Sequence, residues 1–137
     1  MKKLTSNLKE GINENEDTLI EYLKPEFNRI CYNPIRASIL HLLMKSRDLG
    51  YSLSVEEIAT RLGKRHSVII YHLEKLEEWK VVAVIRKQNY GGKKRRSIWG
   101  LNLRYPNLVK AIYLYLLKTF YTVEELEKMC NINRNVR

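Results

Sequence analysis

Cysteine is nearly absent from this sequence: there are two, Cys31 and Cys130, far apart, with no CxxC pair and no histidine at ligand spacing beside either. That excludes the closely spaced ligand pairs of a structural zinc site, and no metal is expected. The two thiols are read as buried, with a disulfide or a redox role as the alternatives. Long apolar runs are missing too. The most apolar stretch, Leu108 to Leu117, is interrupted by Lys110 and is far shorter than the roughly 20 residues of a membrane span. Lys2 and Lys3 lead into polar residues instead of the apolar core of a signal peptide. A cytoplasmic protein with no membrane partner is the expectation. The sequence also lacks a glycine-rich phosphate loop, an HExxH pair and a nucleophile elbow, so no enzyme activity, no catalytic residue and no cofactor are expected.

Acidic residues are scarce in one region, and that scarcity is the first pointer to a partner. The formal charge of the chain is +10. Met1 to Thr60 carries 8 Lys/Arg against 9 Asp/Glu, whereas Arg61 to Arg104 carries 12 against 3. Nearly all the positive excess therefore lies on one segment, as a protein with a polyanionic partner requires, and not as a diffuse solvated surface would have it.

What is present is a series of helix signals followed by a hairpin. Residues 1–17, rich in Lys, Asn and Glu, read as a flexible end. Thr18 with Glu21 forms a capping box for a first helix that Pro25 limits and that restarts to about Cys31. Asn33-Pro34 starts a second helix, with Ile35, Ile39, Leu42 and Leu43 on one face, ending near Ser46. A very short strand at Ser52-Leu53 precedes a capping box, Ser54 with Glu57, and a helix to Leu62 stopped by Gly63. The next helix, about 67–79, buries Ile69, Leu73 and Leu76; His72 and His41 read as packed, hydrogen-bonded core histidines. Val81 to Lys87 and Ser97 to Asn102, separated by Tyr90-Gly91-Gly92, make a hairpin. Pro106 opens a long helix to about Phe120, and Thr122 with Glu125 caps a final one.

The fold class expected is mainly α with a small β-hairpin (α+β): a winged helix-turn-helix domain together with its preceding helix at 18–104, after the flexible segment 1–17, and C-terminal helices at 105–137 that are expected to dimerise. Ile58-Ala59, Leu62-Gly63 and Ile69 follow the helix-turn-helix pattern, in which a small residue lets two helices approach and Gly makes the turn. From Asn33 through Asn102 the chain resembles ArsR-like winged-helix regulators of archaea and bacteria. Ser67-Val68-Ile69-Ile70-Tyr71-His72-Leu73-Glu74-Lys75-Leu76 is similar to their recognition helix. Lys64, and Trp79-Lys80 where a small residue and Gly are expected, depart from the pattern, and the cysteine-bearing motif of the metal sensors is missing. The resemblance implies a sequence-specific transcription regulator that binds double-stranded DNA; the alternative is a winged helix that binds RNA or a protein.

With Ile69, Leu73 and Leu76 inward, His66, Ser67, Ile70 and Tyr71 point outward and are the candidates for base contacts in the major groove. The alternative for Ile70 or Tyr71 is packing against the wing. Lys64 and Arg65 at the turn suit phosphates, as do Arg86, Lys87, Tyr90, Lys93, Lys94, Arg95 and Arg96 of the wing, which could lie on the backbone or in the minor groove. The last long helix is apolar nearly all round, so more than one side must be covered. One side can rest on the winged domain and another on the first helix. The surplus points to a homodimer through Leu108, Ile112, Tyr115 and Leu116, placing two recognition helices about 34 Å apart on a palindromic site; burial within one chain is the alternative.

Overall fold

The computed structural model describes residues 15–89, 91–92 and 95–130. Helix α1 spans Asn15–Leu23, a 3-10 turn Lys24–Glu26, α2 Phe27–Cys31 and α3 Pro34–Asp48; β1 is Leu53–Ser54, α4 Val55–Leu62 and α5 His66–Glu78. The hairpin is β2, Val82–Asn89, with β3, Arg95–Leu101, and the chain continues through α6, Pro106–Thr119, and α7, Val123–Cys130. The three strands form one antiparallel sheet in the order β1-β3-β2. This is a winged helix-turn-helix with added helices at both ends.

Most of the boundaries follow from local chemistry. The Asn33 side chain accepts from the amides of Ile35 and Arg36, and Pro34 occupies the first helical position, where its missing N–H costs nothing. Ser54 and Glu57 form a complete capping box, as do Thr122 and Glu125. Gly63 ends α4 at φ 66°, ψ 38°, and the amides of Gly63 and Lys64 turn back to the carbonyls of Thr60 and Ala59. That left-handed position is open to glycine and strained for other residues. The same closure recurs at the end of α5 with a lysine: Lys80 sits at φ 67°, with Lys80 N bonded to Glu77 O and Val81 N to Leu76 O. Lys80 thus takes the conformation that a glycine would supply.

The first helix begins three residues before Thr18, and the expected Thr18–Glu21 box lies inside it. Its start is fixed from a distance. Glu16 accepts hydrogen bonds from the backbone amides of Asn107 and Leu108, at 2.7 and 3.0 Å, and from the Asn107 side chain at 3.2 Å. It thereby satisfies two open amides at the N-terminus of α6, whose own N-cap, Tyr105, makes no side-chain cap hydrogen bond. Residues 15–17, read as part of a flexible end, are helical for this reason.

The core is continuous from the helix-turn-helix into the terminal helices. Ile39, Leu40 and Leu43 of α3, Ile58 of α4, and Ile69, Leu73 and Leu76 of α5 meet Leu108, Ile112 and Leu116 of α6, all fully buried. Burial of each such side chain is worth about 1.5–3 kcal/mol against leaving it in water. Three of the four residues expected at a dimer contact lie inside the chain. Leu108, Ile112 and Leu116 are enclosed within the single chain, where α6 packs on α1, α2 and α3, so they have no surface to offer a partner. Tyr115 is half-buried, its ring edge-on to Phe27 at 5.7 Å. The apolar surplus of α6 is mostly spent on α1, α2 and α3, and Leu114, 51% exposed, is the large apolar side chain of that helix left facing outward.

Both cysteines are free and buried, with Cys31 Sγ directed at Ile112 O and Cys130 Sγ at Ser38 O. Burial pushes the Cys31 thiol up to about 12 and the Cys130 thiol to about 11, leaving neither as a ready thiolate. His41 and His72 are both buried and hydrogen-bonded, as their places on apolar faces implied.

Candidate nucleic-acid interface

The α5 helix has two unlike sides. Ile69, Leu73 and Leu76 are sealed in the core, while His66, Ser67, Ile70 and Tyr71 are exposed, Ile70 at 41% and Tyr71 at 53%. All four sequence-predicted base-contact residues thus share the solvent side of the helix that follows the left-handed turn. The helix starts one residue earlier than the sequence suggested, with Arg65 as N-cap at φ −71°, ψ 150°. Arginine has no acceptor with which to cap, so the first amides of α5 have no side-chain partner at that position. An N-terminus of this kind carries partial positive charge and favours an anion. Lys64 and Arg65 lie exposed beside it.

Two ring contacts of Tyr71 lie within its own helix. Its ring and that of His72 meet edge to face at 5.1 Å, and the Lys75 ammonium lies 5.9 Å from its centre, so the ring is braced by its own helix while about half of the side chain stays exposed.

The hairpin carries its cations in different ways. Arg86 and Arg95 are exposed. Lys87 is exposed too and donates to Ser97 Oγ at 2.9 Å. Arg96 is engaged: its guanidinium bonds to Glu56 at 2.7 Å and to Gln88 at 3.2 Å, tying the outer, turn-side end of the hairpin to the first turn of α4. A bulge at Ile85 shifts the register, since Val84 pairs with Trp99 and Arg86 with Ile98. An extra residue on one strand bends it and increases its twist. Tyr90, Lys93 and Lys94 lie outside the described residues.

Arg36 is the residue that sequence reasoning missed. It is 6% exposed and lies behind α5, with Nη1 3.3 Å from His72 Nδ1 and its guanidinium over the rings of Tyr32 and Trp79, at 5.7 and 5.3 Å. His72 is held below the ordinary histidine value, first by burial and then by the Arg36 charge, so it is neutral and accepts at Nδ1. The signal was available: Arg36, Leu40 and Leu43 fall on one face of α3, and a cation on an apolar stripe calls for a special environment.

No metal-binding group of three or more His, Cys, Asp or Glu occurs among the described residues, and no helix among them is long and apolar enough to cross a membrane. No curated relative matches the chain. Residues 33–83, from the cap of α3 through the two helices of the turn to the opening of β2, match the family described as bacterial regulatory protein, arsR family. Over residues 33–83 the chain is therefore similar to the helix-turn-helix of the arsR family of bacterial regulatory proteins.

Proposed function

We propose that this protein reads a specific duplex sequence by laying the N-terminal half of α5 in the major groove, with the wing on the backbone or in the adjacent minor groove. His66 and Ser67 offer hydrogen bonds to base edges, and Ile70 and Tyr71 offer apolar contact to thymine methyl groups. Lys64, Arg65 and the open helix start serve phosphates, as do Arg86, Lys87, Arg95 and Arg96 together with Tyr90, Lys93 and Lys94. The observation that carries the reading is the exposed pair Ile70 and Tyr71, on the outer side of a helix held by the matched turn. Solvation alone favours charged side chains there, so an apolar pair held in water is best accounted for by a surface that it contacts.

A homodimer on a palindromic site belongs to the same reading. Its contact on α6 centres on Leu114 instead of the buried Leu108, Ile112 and Leu116. Sedimentation at micromolar concentration is expected to report two chains; a single chain removes the dimer from the proposal.

The test is a gel-shift series with random duplex, single-stranded DNA and structured RNA, followed by selection of bound genomic fragments. Duplex preference and an enriched motif are expected. Preference for RNA, or no binding to any of the three, overturns the assignment. Within that series Arg86→Ala with Arg95→Ala should weaken binding to all duplexes alike and lower the salt dependence by about two phosphate contacts.

A further inference from the structure

We infer that the cleft between α2, the start of α3 and the middle of α5 is a binding site for a phosphate group. It has a volume of about 320 Å³ and is lined by Arg29, Tyr32, Arg36, Tyr71, Lys75 and Trp79. Three of the six are cations, three are aromatic and none is acidic.

The cation at the back of the cleft is bound only to neutral groups. Arg36 Nε donates to Ile30 O at 3.2 Å, Nη2 to Arg29 O at 2.7 Å, and Nη1 to His72 Nδ1 at 3.3 Å. Among the described residues no carboxylate lies within ion-pairing distance of it. A guanidinium has five N–H donors, and three are used. The π faces of Tyr32 and Trp79 attract the charge, yet a buried cation without a counter-ion remains costly. An anion entering the cleft would supply what the fold does not. At the mouth, Arg29 pairs with Glu26 at 3.4 Å and Lys75 with Glu78 at 3.9 Å; both pairs are solvent-exposed and weak, so either cation can turn to a stronger acceptor. Three cations converging on one concave site suit the multiple charged oxygens of a phosphate.

Two sources can supply that group: the backbone of a bound duplex, or a free phosphate-bearing small molecule. The existence of the site stands on the cleft alone, while its consequence for DNA rests on the function proposed above. Tyr71 belongs both to the cleft and to the outward side of α5, so occupancy of the cleft bears directly on a base-contact candidate.

Trp79 lines the cleft, and the other tryptophan, Trp99, is buried by the sheet. The intact chain is titrated with pyrophosphate against chloride at matched ionic strength, and its fluorescence is followed. A saturable change is expected that Trp79→Phe abolishes and that Arg29→Gln with Lys75→Gln weakens about tenfold or more. In a second arm the salt dependence of duplex binding is measured for the same double variant, which keeps Arg36 and hence the core contacts. A pyrophosphate response with an unchanged salt slope identifies a free ligand. A slope reduced by about one or two phosphate contacts, with or without that response, identifies the duplex backbone. No pyrophosphate response together with an unaltered slope overturns the proposal. Should the wild type bind no duplex at all, the function proposed above fails, and the pyrophosphate arm still decides the cleft.

Discussion

Glu127→Gln tests the polar cluster that fastens the last helix to the helix-turn-helix. His41 Nε2 lies 2.7 Å from one oxygen of Glu127 and Lys45 Nζ 2.9 Å from the other, while His41 Nδ1 lies 2.7 Å from the Tyr113 hydroxyl. The cluster joins α3, α6 and α7 through side chains more than 70 residues apart in sequence. Hydrogen bonds from Lys45 and then His41 hold the Glu127 carboxyl well below its ordinary 4.5, at about 2. At about 1.4 kcal/mol per pH unit, that difference corresponds to roughly 3 kcal/mol if fully expressed. The Glu127 side chain is 34% exposed, so solvent screening reduces the expected contribution to about 1–2 kcal/mol. Because the folded value is the lower one, the stabilisation is present in full above pH 4.5 and drains away as pH falls toward 2. Glutamine keeps the shape and removes the charge. Urea denaturation followed by circular dichroism should show the variant about 1–2 kcal/mol less stable at neutral pH, with the two proteins converging as pH approaches 2. A deficit that does not change with pH, or none at neutral pH, would refute the electrostatic account.

Three further outcomes follow from the turns and the outer side of α5. Gly63→Ala, which places a Cβ at φ 66°, should cost about 1–2 kcal/mol in the same denaturation assay; an unchanged midpoint argues against strain at the turn. Lys80→Gly, at φ 67°, should stabilise the protein by up to about 1 kcal/mol, since relief of the left-handed strain outweighs the extra freedom that glycine gives the unfolded chain. Loss of stability there means that the lysine side chain contributes something the backbone geometry does not reveal. Tyr71→Ala should shift the enriched motif in a binding-site selection while leaving salt dependence alone, and an identical motif removes Tyr71 from the readout.

The sequence determined by itself most of what depends on neighbours along the chain, the Thr18–Glu21 box excepted. Asn33-Pro34, Ser54 with Glu57, Gly63 and Thr122 with Glu125 each act over three or four residues, and all formed as their chemistry requires. The 3.6-residue period likewise separates the buried Ile69, Leu73 and Leu76 from the exposed Ile70 and Tyr71. The tertiary structure decided what depends on residues brought together from afar. Glu16 is helical because α6 presents two amides to it, ninety-odd residues away. Leu108, Ile112 and Leu116, which periodicity marks only as apolar, face the α1, α2 and α3 helices of their own chain and not a second subunit. Arg36 stands out in sequence only as a cation on an apolar stripe, and the meeting of α2, α3 and α5 is what makes it a buried charge between two rings. A side chain's type and period say which environment it needs; which partner supplies that environment is set by packing between elements, and local spacing carries no record of it.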